Sequence, residues 1–319
     1  MATLLAVVSL SAAEDFSAFD QSIPGTDHSI AMVPVRGGTF IMGSPDSEPG
    51  RSETEGPQHE VDVADFWMGQ YEMNWQQYEL FVYRDAVQFN ELVSEEKLQE
   101  LGIDGVTGAT SPYVEMSFGM GKDGYPAVNI TQHAAVYYAR WLSAKTGRFY
   151  RLPTEAEWEF ACRAGTRTAF SFGEGLEMLG DYAIYQGNSE GQYARPGTRK
   201  PNPLQLYDMH GNVAEWTMDQ FDSAYYTVAG RDNPWKRPTD LYPRVARGGS
   251  WVDDPDQLRC AARRPSAPNW KERDPQIPKS LWWLTNAPFV GFRLVSPRVQ
   301  PEATEIARYW LEAIEDYGI

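Results

Sequence analysis

The stretch Arg247-Gly248-Gly249-Ser250-Trp251, continued by Val252-Asp253-Asp254-Pro255-Asp256-Gln257-Leu258 and Arg259-Cys260-Ala261-Ala262-Arg263, decides how this chain is to be read. Paired glycines mark a tight turn. The serine after them lacks the G-x-S-x-G context that exposes a hydrolase nucleophile. An indole beside aspartates suits a sugar ring, a basic peptide or a cation. The alternative is that Trp251 belongs to the core and the aspartates only solvate a turn. No thiol lies between Val252 and Leu258.

Cys260 has one possible partner, because Cys162 is the only other cysteine. Taken by themselves the two suit a disulfide in an oxidising compartment or a pair of buried thiols equally well. Thr3 to Ala13 reads TLLAVVSLSAA, too short to span a bilayer. Ser11 and Ala13 before Glu14 resemble a signal-peptidase site. An export signal over 1–13 is expected, its basic start lying upstream of Met1, with an apolar tail as the alternative. An extracytoplasmic (periplasmic or secreted) location follows from the first reading. No later run of 18 apolar residues is present, so no membrane span is expected in the mature chain.

With 319 residues and 42% hydrophobic content, the chain can bury a substantial core. The 27 glycines, 22 prolines and 11 tryptophans indicate a loop-rich α+β fold with aromatic packing. A net charge of −16, from 44 acidic and 28 basic residues, repels nucleic acid over most of the surface. The four histidines, His28, His59, His133 and His210, show no HExxH or other zinc or iron spacing. No phosphate-cradling loop or dinucleotide fingerprint occurs.

Outward from the opening stretch, the residues predict several elements. Residues 14–30 read as an extended lead-in, and Met32 to Met42 as a hairpin around Gly37-Gly38. His59 to Phe66 reads as a half-buried strand. Asn74 caps a helix to about Tyr83, Glu91 to Gly102 suits a short charged helix, and 105–125 reads as loop. Residues 85–125 together look like an insertion that carries whatever is particular to this protein. Thr131 begins a helix that Gly147 ends. Thr154 and Glu157 form a capping box for a helix to about Ala161. Residues 165–202 read as loop and turn, and 302–316 as an amphipathic C-terminal helix within 298–319, with Ile306, Tyr309, Trp310 and Ile314 available for packing.

Three runs, taken together in this order, carry a family likeness: Arg151-Leu-Pro-Thr-Glu-Ala-Glu-Trp158, Leu206-Tyr-Asp-Met-His-Gly-Asn-Val-Ala-Glu-Trp216 and the 247–263 block. With Phe289-Val-Gly-Phe-Arg-Leu-Val295 they resemble the core of the formylglycine-generating enzyme, or sulfatase-modifying factor, family over residues 31–297. The resemblance implies a compact α+β domain, poor in regular structure and related to C-type lectins, with a disulfide between Cys162 and Cys260. It also implies calcium held by the Asp208 and Glu215 side chains and the Gly211 and Val213 carbonyls. Hard oxygen donors on a tight turn suit that ion, although Asp208 and Glu215 can equally do no more than satisfy the turn. A second family calcium site is not expected, since Ala183 stands where an asparagine ligand belongs.

The active enzymes of the family bind copper through a cysteine pair between the GGS turn and Cys260. Here Asp253 takes the first position and no cysteine follows, so copper is not expected. The remaining expectation is a non-oxidase binding or accessory protein, its groove walled by Ser250, Trp251, Asp253, Asp254 and Asp256 and open to a peptide, glycan or partner protein. An enzyme of different chemistry in that groove is the alternative, and a formylglycine-generating oxidase the last choice.

Overall fold

The computed structural model describes residues 15–83, 94–103 and 109–317. The expected export signal over 1–13 lies outside them, as does part of the 85–125 insertion. The lead-in supplies strand β1 (Phe19–Ser22), which pairs antiparallel with β2 (Ser29–Val35). The expected hairpin at 32–42 does not form. Its second run is β3 (Gly38–Met42), which pairs with β4 (His59–Val63), whereas β2 pairs with β5 (Phe66–Gly69). Gly37 and Gly38 turn a corner between two sheets instead of closing a ribbon. The Gly37 N–H is taken by Asp65 Oδ1 at 2.8 Å, and a Cβ on Gly37 would stand 2.1 Å from the Val63 carbonyl oxygen. The strand expected over 59–66 breaks for a related reason. Ala64 donates its N–H to Asn233 Oδ1 at 2.8 Å, which takes it out of the ladder.

Helices begin and end where the capping residues say. Helix α1 (Trp75–Val82) starts with the Asn74–Gln77 capping box. Helix α2 (Glu95–Glu100) is the short charged helix. Helix α3 (Gln132–Thr146) has Thr131 accepting from the Ala134 N–H and ends at Gly147, whose φ is 72°. Helix α4 (Glu155–Arg163) carries the Thr154–Glu157 box and runs two residues beyond its expected end. A single further turn, α5 (Leu179–Tyr182), interrupts the long loop.

The second half builds a four-stranded mixed sheet ordered β8–β7–β6–β9, from β6 (Ala214–Gln220), β7 (Arg244–Arg247), β8 (Arg263–Pro265) and β9 (Val290–Gly291). Strand β10 (Val295–Pro297) then crosses back to pair with β5, so the last strand of the domain closes the first sheet. One buried cluster packs α1 and α3 through Tyr78, Phe81, Tyr138 and Trp141 against Trp283 and Phe292. A second surrounds the Cys162–Cys260 disulfide with Val35, Phe66, Met68, Trp158 and Val295.

The expected C-terminal helix shrinks to one turn, α6 (Ala303–Ile306). Side-chain anchors override helical propensity there. Trp310 Nε1 donates to the Leu101 carbonyl at 2.9 Å, and Phe149 takes Tyr309 and Trp310 against its ring. The tail then runs as non-helical chain to Asp316, whose carbonyl accepts the Lys279 N–H at 2.7 Å.

The disulfide joins residues 98 apart in sequence, and chain entropy puts closure of so long a loop at about 4–5 kcal/mol. Replacing both cysteines by alanine is expected to lower unfolding free energy by roughly that amount in guanidinium titrations, with the circular dichroism spectrum of the native state unchanged.

Candidate functional site

Strand β7 delivers the Gly248-Gly249-Ser250 turn into the interior, with both glycines at positive φ, 94° and 65°. A Cβ on Gly249 would lie 2.7 Å from the Gln257 carbonyl oxygen. The loop 252–258 therefore folds directly onto the turn. Ser250 is fully buried and donates to Asp253 Oδ2 at 2.6 Å. Arg264, from β8, donates to the same oxygen at 2.6 Å and lays its guanidinium over the Phe289 ring. Asp253 is thus an acceptor already engaged by a hydroxyl and a cation. Trp251 is half-buried and donates through Nε1 to the Pro288 carbonyl at 3.1 Å. Asp254 and Asp256 face solvent. The five residues meet at one turn but divide between interior and surface, leaving a rim of exposed carboxylates beside an indole.

The turn at 208–215 is shaped by backbone conformations unusual for side-chain-bearing residues: φ is 58° at Asp208, 94° at Gly211 and 58° at Asn212. A Cβ on Gly211 would come within 2.2 Å of the Ile184 carbonyl oxygen, so only glycine fits. Asp208 and Glu215 are both buried. Glu215 accepts Trp158 Nε1 at 2.7 Å and a bidentate grip from Arg293. Asp208 Oδ2 accepts the Gly197 N–H at 2.7 Å. Its Oδ1 is buried with no partner among the described residues.

Beside them stands Glu72, which accepts from Asn212 Nδ2 at 2.5 Å and the Val213 N–H at 2.9 Å. Burial, then the Asp208 and Glu215 charges, push the Glu72 carboxyl well above the usual carboxylate range. Burial and Glu215 push Asp208 up to about 6, against the pull of the Gly197 N–H and Arg293. Three carboxylates here share the guanidinium of Arg293 as their nearest countercharge. A polar cleft lined by Tyr71, Glu72, Gly124 and Pro196 approaches this cluster from the surface.

Glu72, Arg293 and Arg264 take no part in the sequence reading of either site. A lone arginine inside the apolar run Phe289 to Val295 was the one available signal for Arg293. Glu72 had none, because its role comes from a chain segment 140 residues away. His210, inside the turn, donates its Nδ1–H to the Leu258 carbonyl at 2.8 Å, and its Nε2 accepts from the Ser171 N–H at 3.2 Å and from Ser171 Oγ at 2.9 Å. Burial pulls its pKa down to about 4, so it is a neutral structural ring. It lies close to Cys162 and Cys260, but both sulfurs are bonded to each other and neither is free to ligate a metal.

A disulfide-stapled α+β domain with a GGS turn over a buried carboxylate cluster defines a class that comparison with known proteins makes explicit. Residues 21–275 match the Sulfatase-modifying factor enzyme 1-like domain, and the chain belongs to that family. The formylglycine-generating enzyme of Mus musculus is 30% identical, the alignment covering 75% of this chain and 71% of that protein. The inactive C-alpha-formylglycine-generating enzyme 2 of Bos taurus is also 30% identical, over 73% of this chain and 80% of that protein. Identity alone therefore does not separate active from inactive relatives. The solved structure of PvdO from Pseudomonas aeruginosa superposes with a TM-score of 0.63 at 28% identity, covering 88% of this chain and 98% of that one.

Arg293→Met should cost about 3–5 kcal/mol, because it strands Glu215 without its buried countercharge. Adding Glu215→Gln to that variant should recover part of the loss. Urea denaturation of the three proteins measures both effects.

Proposed function

We propose that this chain is an extracytoplasmic member of the family that does not perform copper–thiolate oxidation and instead acts as a binding or accessory protein. The observation that carries the reading is the disposition of sulfur. Both cysteines are consumed in one buried disulfide, and the position facing the GGS turn holds Asp253, engaged by Ser250 and Arg264. A carboxylate so occupied is a poor ligand for a soft monovalent ion. A secreted setting fits a disulfide on thermodynamic grounds. No helix among the described residues is long and apolar enough to cross a membrane.

The ligand surface in this reading is the exposed rim: Trp251, Asp254 and Asp256, with Ser250 and Asp253 as its interior support. An indole edge with carboxylates favours a basic peptide, a glycan or the matching face of a partner protein. Calcium is the cofactor. Asp208 and Glu215 side chains with the Gly211 and Val213 carbonyls would hold it, and the orphaned, buried Asp208 Oδ1 is the feature that supports the fit. Bound there, the ion would supply positive charge to a cluster that Arg293 neutralises only in part.

Two measurements test this reading. Incubation with copper(I), oxygen and a Cys-x-Pro-x-Arg peptide should leave the peptide mass unchanged; an aldehyde product overturns the proposal. Millimolar calcium, set against a chelator, should raise Tm by about 4 °C, as saturation at roughly a hundred times Kd gives about 2.7 kcal/mol. That shift should vanish in Asp208→Asn, and an equal shift in the variant would remove calcium from this turn.

A further inference from the structure

Away from the GGS turn, a cleft opens between the start of α3, the β7–β8 edge and the C-terminal tail. The space over its lining comes to about 560 Å³ when open solvent at the mouth is counted, of which about 50 Å³ takes the centres of water-sized spheres, and its walls are mainly apolar, among them Trp216, Trp270, Leu284 and Leu311. Leu311 and Ile314 come from the tail that failed to continue as helix, so the irregular C-terminus is what completes this enclosure.

Two cations line it. Lys271 is only 2% exposed, yet its ammonium makes no hydrogen bond or ion pair with any of the described residues. Arg244 donates Nε to the Asp240 carbonyl at 2.6 Å and Nη1 to Gln132 Oε1 at 2.8 Å. Its Nη2 has no acceptor among the described residues. Both charges bear on His133, whose pKa burial first, then Lys271 and Arg244, pull down to about 4. The two cations and the neutral imidazole therefore share one end of the cleft. Burial lowers Lys271 to about 8, with Asp316 and Asp274 opposing the shift from a distance. It remains an ammonium at neutral pH. Asp316 is engaged by the Tyr242 hydroxyl at 2.9 Å, Asp274 by the Gln276 and Ser280 N–H groups at 3.0 and 2.7 Å, and Glu312 is exposed at the mouth.

Burial with no carboxylate in contact disfavours the charged form of Lys271, whose ammonium is left to the cleft for solvation. A chain of net charge −16 has carboxylates in excess, yet it places none on Lys271. The start of α3, a helix of 15 residues, adds the positive end of its dipole to the same corner. An anion is the missing complement, and the indole and leucine walls require it to carry an apolar body.

We propose that this cleft binds a small amphipathic carboxylate, its aromatic or aliphatic body seated on Trp216 and Trp270 and its carboxylate held between Lys271 Nζ and Arg244 Nη2. The planar anion matches a guanidinium edge, and the ammonium supplies a second donor. Neither the calcium turn nor the rim at Asp254 and Asp256 contributes to it.

Calorimetric titration of the full chain with 4-phenylbutyrate and with its neutral amide tests the site. The carboxylate should bind at least tenfold more tightly than the amide. In Lys271→Met that preference should fall below about threefold, with amide affinity unchanged. The variant should fold with an undiminished Tm, since it loses an unpartnered buried charge, and circular dichroism checks this. Asp254→Ala with Asp256→Ala should leave phenylbutyrate affinity as it was, which separates this site from the rim. Equal affinity for acid and amide, no binding of either at millimolar concentration, or a preference surviving in folded Lys271→Met would each overturn the proposal.

Discussion

The buried glutamates of helix α4 hold the two halves of the molecule together. Its three glutamates, Glu155, Glu157 and Glu159, are all buried, and each meets an arginine from another part of the chain or its own last turn. Glu155 takes a bidentate grip from Arg263 of β8. Glu157 receives Arg151 the same way. Glu159 binds Arg247 of β7 and Arg163, and also accepts the Gly43 N–H that follows β3. Such pairs add little net stability over apolar packing, but removing one partner leaves an uncompensated buried charge, so they enforce one arrangement. The disulfide leaves the same helix for Cys260, whose carbonyl accepts from Arg247 at 2.8 Å. Strand β7 cannot shift against α4 without breaking the Arg247 bonds to Glu159 and to the Cys260 carbonyl, and the GGS turn hangs from the end of β7.

That rigidity explains why the turn and the carboxylate cluster are close neighbours. The Gly211 N–H donates to the Gly248 carbonyl at 2.8 Å, and the Trp251 N–H to the Asn212 carbonyl at 2.8 Å. Strain in the left-handed residues at 208–212 is therefore held by backbone bonds to the neighbouring turn, and Trp158 of α4 reaches across to Glu215. The rim at Trp251, Asp254 and Asp256 is carried by a frame with few soft joints. The apolar cleft beside Lys271 differs in construction: one wall comes from the irregular tail, anchored by Trp310 and Asp316 rather than by sheet or helix. Sites on such segments diverge more freely than the frame does.

Much of this was legible in the residues themselves. The caps at Asn74, Thr131 and Thr154 and the stop at Gly147 are local chemistry, complete within four or five residues, and the helices obey them. That the chain has only two cysteines is a matter of composition. The Gly-rich turns at 211 and 248–249 announce themselves because no other residue tolerates their backbone. What was not legible depended on partners distant in sequence. Gly37-Gly38 looks like a hairpin until Asp65 and Val63 are placed beside it. Residues 302–316 have helical periodicity, yet Leu101, Phe149 and Lys279 pull them into another path.

The sequence by itself determined the family, the starts of helices α1, α3 and α4 and the stop at Gly147, the absence of spare sulfur and the oxygen-rich turn, because each depends on residue type or on short-range bonding. Only the tertiary structure decided which strands share a sheet, that Glu72 and Arg293 join Asp208 and Glu215, that Arg264 occupies Asp253, and that Lys271 is buried without a carboxylate. Those outcomes rest on charges and carbonyls brought together across a hundred or more residues, and the spacing of neighbouring side chains contains no record of such meetings.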